Sequence, residues 1–175
     1  MKSILKILLG ILEIVVIAFA IFMVATVFMR NEYGYTQFGD KTWIIIDDMN
    51  ITELPHFSSG DLVIIDKVLF NEVNVGDELY YYDTINEEYI VRSGIVKTKT
   101  GDNRSALYTF EGEKSTAVAG ERILGVQHDS KANLGKVLSF LQSTAGFLIF
   151  VILPILVLFI YQVYNLVMIL KYDKE

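Results

Sequence analysis

Residues 43–67, WIIIDDMNITELPHFSSGDLVIIDK, decide how this chain reads. Trp43-Ile44-Ile45-Ile46 and Leu62-Val63-Ile64-Ile65 are short β-branched runs, the composition of strands with at least one buried face. Between them lies an irregular link carrying Asp47, Asp48, Pro55, His56, Ser58 and Ser59, closed by the turn pair Gly60-Asp61. Functional groups concentrate on links held between rigid elements, so this link is the first place to look for chemistry.

Working outward, similar short runs recur between turn signals: Glu78–Tyr82, Tyr89–Val91, Ile95–Lys99, Ala106–Phe110 and Ile123–Val126. Gly-Asp turns at 76–77 and 101–102 punctuate them, and residues 31–144 carry no long 3.6-residue period. The expected fold is a mainly antiparallel β domain over 31–132. The segment 31–144 holds ten basic and 18 acidic residues, a balance of −8. That balance excludes nucleic acid as a partner, because phosphate binding needs a basic surface. With no cysteine in the chain, disulfides, thiolate metal sites and Cys nucleophiles are excluded.

A mean hydropathy of +0.42 is high for a globular domain, and the excess sits at the two ends. Ile4–Phe28 and Ala145–Leu170 are apolar almost throughout, each longer than the roughly 20 residues that span a bilayer core. The first run is too long for a cleavable signal sequence, and Val24-Ala25-Thr26 matches a small-residue cleavage site poorly. The division expected is an N-terminal anchor (1–30), the β domain (31–132), an amphipathic link (133–144) and a C-terminal membrane helix (145–171). In the link, Leu134, Val137, Leu138 and Leu141 share one face, suited to lying along a membrane surface. Pro154 implies a kink in the last helix. Lys2, Lys6, Lys171 and Lys174 flank the spans, which places both termini in the cytoplasm and the β domain outside the cell membrane. Glu13, inside the first span, is read as facing the second helix or the interface rather than as a functional carboxylate.

The order of motifs resembles signal peptidase I, in the archaeal and ER-type branch that has an extra C-terminal membrane helix. Gly60-Asp61-Leu62-Val63-Ile64-Ile65-Asp66-Lys67 is similar to the family's G-D-L-V-I-V-x-K strand, and Val75-Gly76-Asp77-Glu78-Leu79-Tyr80-Tyr81 to its V-G-D-I-I-x-Y/F strand. Ile123-Leu124-Gly125-Val126 resembles I-I-G-K-V, and Leu134 through Pro154 resembles the closing membrane segment. The resemblance implies a Ser nucleophile in S-M-x-P and a Lys or His base on a later strand, since a hydroxyl needs a neighbouring base.

Here those positions depart from the pattern. Counting back from Pro55 and Gly60-Asp61 puts the nucleophile at Thr52, whereas matching Met49 puts it at Asp48. The base position falls on Val91 or Ser93, depending on whether Arg92 or Ile95-Val96 is aligned. His56, close to Thr52 on the link, is the alternative base, with a reference pKa near 6.5 that suits the task. Glu111-Gly112-Glu113-Lys114-Ser115 stands where the family has K-G-D-x-N. His128-Asp129 reads as a surface turn, Ser58 and Ser59 as turn residues, and Tyr80, Tyr81, Tyr82, Tyr89 and Tyr108 as strand filling or an interface belt. Ile45, Ile46, Asp47, Pro55 and Phe57 are the substrate-contacting positions the resemblance implies. No metal site and no cofactor are expected, since two distant histidines do not make a metal site.

Two functions compete. One is a catalytically degenerate protein that holds secreted or surface precursor proteins at the outer membrane face. The other is an active signal peptidase with a non-standard nucleophile. Replacement of both nucleophile and base favours the first. The sequence leaves the client and the oligomeric state open.

Overall fold

A computed structural model describes residues 2–48, 53–112 and 117–172. The chain divides into two compact units, Met29–Val137 on one hand and Met1–Phe28 with Leu138–Glu175 on the other.

The first unit is one curled, wholly antiparallel sheet of eight strands: β1 (Thr36–Phe38), β2 (Lys41–Ile45), β3 (Leu62–Asp66), β4 (Glu78–Ile85), β5 (Glu88–Thr100), β6 (Leu107–Phe110), β7 (Val118–Ala119) and β8 (Ile123–Lys131). Their spatial order is β1-β2-β3-β8-β4-β5-β6-β7. Alternation sorts the side chains between the two faces of the sheet. Ile44 and Ile46 point inward with Val63, Ile65, Tyr80, Tyr82, Val91 and Leu124, and this set belongs to one apolar cluster. Leu79, Tyr81, Val96, Tyr108 and Phe110 form a second cluster across β4–β6, where the Tyr81 and Phe110 rings stack at 4.4 Å. The Tyr80-Tyr81-Tyr82 run is therefore buried on both faces of one strand, the strand-filling role expected of it.

Three features differ from the sequence expectation. Tyr89–Val91 and Ile95–Lys99 are parts of one 13-residue strand, β5, because the intervening Arg92, Ser93 and Gly94 all pair with β4. β1 and β7 were not foreseen, being only three and two residues long. His128 and Asp129, expected in a surface turn, lie within β8, where pairing to β3 continues past a bulge.

The Gly-Asp pairs act as turn closures. Asp61 and Asp77 each accept a hydrogen bond from the backbone N–H three residues back, Ser58 at 2.9 Å and Asn74 at 2.7 Å. Asp61 also accepts from the Asn133 N–H at 3.0 Å, tying this turn to the start of the next helix, α2 (Leu134–Gln142). These N–H donors hold the Asp61 carboxyl below its usual pKa, Ser58 first.

The second unit contains α1 (Lys2–Phe28) and a helix that runs as α3 (Thr144–Phe147), a π-helical turn (Leu148–Ile152) and α4 (Leu153–Tyr172). Gly10–Phe28 and Thr144–Lys171 are long and apolar enough to cross a membrane, at mean hydropathies of 2.8 and 2.7. The Ser143 hydroxyl caps α3 by accepting from the Gly146 N–H at 3.1 Å. The π turn ends two residues before Pro154, with the Leu153 N–H bonded to the Leu148 carbonyl. A widened turn there accommodates a ring that would otherwise press on the carbonyl one turn back.

Candidate functional site

β5 and the link after β2 meet at Arg92. The hairpin joining β4 to β5 turns on Asn86 and Glu87, both at positive φ (51° and 70°), which fixes the register with Tyr81 opposite Arg92 and Asp83 opposite Ile90. Asp83 and Arg92 are thus diagonal neighbours on one face, and Arg92 Nη1 lies 2.8 Å from Asp83 Oδ2. Arg92 Nε lies 2.8 Å from Glu53 Oε2, on the link. One guanidinium bridges two carboxylates, which its several N–H donors allow.

Leu54, next to Glu53, is buried at 1% exposure in the interior cluster with Val91. Val91 and Arg92 are consecutive on a strand and point to opposite faces. Glu53 on one face and Leu54 on the other therefore place the link across the edge of β5 at Val91–Arg92. Phe57 packs on the same interior cluster, and its N–H bonds back to the Leu54 carbonyl at 3.2 Å.

Two strands near this crossing have a sheet neighbour on one side only. Glu88–Ile95 of β5 pair with β4, and β6 joins β5 only from Val96. The Val96 N–H and carbonyl turn toward the β4 side, to Asp77 and Gly76, whereas the Ile95 and Tyr89 carbonyls turn away, to the Glu111 N–H and the Tyr35 hydroxyl. By alternation the main chain of Val91 and Ser93 also faces away from β4. On β2, pairing with β1 stops at Trp43, and Ile46 directs both backbone groups to Gly60 and Asp61. Ile45 accordingly presents its main chain on the side β1 has vacated.

The candidate residues fall as follows. Asp48 is exposed at the start of the link, while Thr52 lies outside the described residues, as do Glu113, Lys114 and Ser115. Val91 is wholly buried among apolar side chains, and Ser93 is half-buried opposite Tyr80. His56 and Pro55 are exposed, Phe57 half-buried, Ile46 buried, Ile45 half-buried and Asp47 exposed. Arg92 escaped the sequence reading as a site residue. Its signal was the Asn86-Glu87 turn, which sets Asp83 diagonal to it. Glu53 could not be assigned to it, since the link has no regular period.

A hollow of about 610 Å³ adjoins the clamp, lined by Tyr81, Asp83, Arg92, Glu121 and Arg122. A second, of about 540 Å³, opens among Asn31, Tyr33, Lys67, Arg104 and Tyr108. Burial pushes the Tyr80 hydroxyl up to about 12, Glu78 adding to the shift, and raises Tyr82 further. Elsewhere, His128 Nδ1 lies 2.8 Å from Asp66 Oδ2, and Lys41 Nζ 2.7 Å from Asp66 Oδ1. The Lys41 ammonium chiefly holds the Asp66 carboxyl below its usual range. This carboxylate–imidazole pair can orient an imidazole, yet among the described residues no Ser or Thr hydroxyl is bonded to it. No group of three or more metal-ligating side chains occurs among the described residues.

No protein-family model matches the chain, and neither a curated protein nor a solved structure does.

Proposed function

We propose that this chain is a membrane-anchored, non-cleaving relative of signal peptidase I that binds or positions extended segments of secreted or surface precursor proteins. Both termini are then cytoplasmic and the β unit faces outward, a topology that the basic flanks support. The observation that carries the reading is the Arg92 clamp. On the strand where the resemblance places a proton acceptor, the polar group facing the link is a guanidinium bound by Glu53 and Asp83. A guanidinium stays protonated at any working pH and accepts no proton. Val91, its neighbour, has no titratable group, and a hydroxyl such as Ser93 or Thr52 needs a base to become nucleophilic.

Binding is supported by the strand edges. Ile45 on β2 and Ser93 on β5 present main chain on sides their sheet neighbours do not cover. An extended peptide adds to such edges by main-chain hydrogen bonds, with side-chain hollows giving selectivity. Tethering beside the bilayer raises the effective concentration of a membrane-bound client.

The test is incubation of the full-length protein in detergent with a signal-peptide-bearing precursor, beside Thr52→Ala, Asp48→Ala and His56→Ala. No cut product is expected from any of the four. A product made by the parent and abolished by one substitution overturns the reading in favour of an active peptidase.

A further inference from the structure

Glu13 is the only charged residue within Gly10–Phe28, and the peptide-holding role makes no use of it. Its two carboxylate oxygens lie 3.3 and 3.2 Å from a single atom, Gln162 Nε2 on α4. Counted along α1, Glu13 is seven residues beyond Lys6, and along α4 Gln162 is nine residues before Lys171. At 1.5 Å per residue both counts place the pair about 10–14 Å below the basic flanks. This depth is inside hydrocarbon if the helices span a bilayer, the clause on which the inference rests.

Such a pair is under-satisfied. Both contacts draw on one amide nitrogen, and among the described residues neither side chain has a further partner. Glu13 is only half-buried and Gln162 is exposed, so both are turned partly to the surroundings of the helix pair. Asn165, three residues after Gln162 and half-buried, lies on the same side of α4 and extends the polar stripe. Hydrocarbon offers no hydrogen bonds to these groups, and polar side chains at membrane depth are accordingly covered by other helices.

We propose that this stripe is a self-association surface for a second copy of the chain in the membrane. The argument for that occupant is complementarity. Carboxylate acceptors and amide donors lie side by side on one patch, so a two-fold-related copy supplies donors to the first carboxylate and acceptors to the first amides at once. A partner helix bearing a lone cation would satisfy the carboxylate and leave both amides bare.

The chain has no cysteine, which makes the test direct. Ile17→Cys lies one turn from Glu13 on the same face of α1, and Val15→Cys lies on the opposite face; both positions are about half-exposed. In membranes of cells expressing the full chain, mild oxidation is expected to give a crosslinked dimer for Ile17→Cys and little for Val15→Cys. Adding Glu13→Ala or Gln162→Leu is expected to lower the crosslinked fraction about three- to tenfold, while Glu13→Gln, which keeps the hydrogen-bonding capacity, retains most of it. Resistance to alkaline extraction confirms insertion of each variant compared. Equal crosslinking from both faces, or a dimer indifferent to Glu13→Ala and Gln162→Leu, overturns the proposal. Neither result bears on peptide binding by the β unit.

Discussion

Arg92 of β5 holds Glu53 of the link with its Nε 2.8 Å from Oε2, and the adjoining residues Val91 and Leu54 meet in the apolar interior. A polar clasp on one face and an apolar contact on the other pin the link across the strand edge. Both charged side chains are under a third exposed, at 32% and 20%, so the pair is screened in part. A double-mutant cycle of Glu53→Gln and Arg92→Gln is expected to give a coupling of about 0.5–1 kcal/mol, read from thermal unfolding of the full-length protein by Trp43 fluorescence. Coupling within error of zero would mean that the clasp does not hold the link.

Leu54 gives the larger effect. Truncating it leaves a cavity beside Ile44, Val63 and Val91. Leu54→Ala is expected to destabilise the β unit by about 2–4 kcal/mol, seen as a lowered Tm. His56→Ala, two residues on and exposed, should leave Tm unchanged.

Gly125 has a geometric reason for its identity. It sits at φ 135° on β8, and an added Cβ would fall 1.9 Å from the Asp66 carbonyl oxygen. Gly125→Ala should therefore cost about 2–4 kcal/mol, whereas Gly76→Ala, with open space around it, should cost only the backbone strain.

Alkaline pH provides a test of the buried tyrosines. The Tyr80 pKa is raised to about 12, chiefly by burial, from an unfolded value near 10. Folding thus favours the neutral phenol. That contribution is fully present below pH 10 and is lost as pH rises from about 10 toward about 12. Titration followed by tyrosinate absorbance should show Tyr80 and Tyr82 ionising late, with unfolding as they ionise. Simultaneous titration of all tyrosines in folded protein would contradict the burial.

Ser93 tests the open edge. Its N–H faces away from β4, so Ser93→Pro breaks no bond of the β4–β5 ladder and should change stability by no more than about 1 kcal/mol. Peptide binding should fall, because the donor on the exposed side is gone. Unaltered binding would place the peptide elsewhere.

Much of this was legible in the sequence, and the reasons are physical. Leu62–Asp66 and the start of β4 announce themselves through β-branched and aromatic runs closed by Gly-Asp turns, and the apolar end segments through length alone. The short β1 and β7 carry no such signal, since register with a neighbour rather than composition makes them strands. His128 looked like a turn residue because His-Asp-Ser is polar, yet pairing to β3 extends β8 through it. At the site, Asp48, His56 and Ser93 were visible as residue types. The clamp was not, because it joins Glu53 to a position 39 residues away through a hairpin register that no local pattern reveals.

The most direct test of the central claim is a binding measurement with product analysis on the same sample. A fluorescent peptide carrying a signal-peptide cleavage region is titrated with full-length protein in detergent, followed by anisotropy, and recovered for mass spectrometry. The account predicts saturable binding, recovery of intact peptide, and loss of binding when alternate backbone N–H groups of the peptide are methylated. Recovery of peptide cut after a small residue, with cutting abolished by Asp48→Ala or Thr52→Ala, would contradict it.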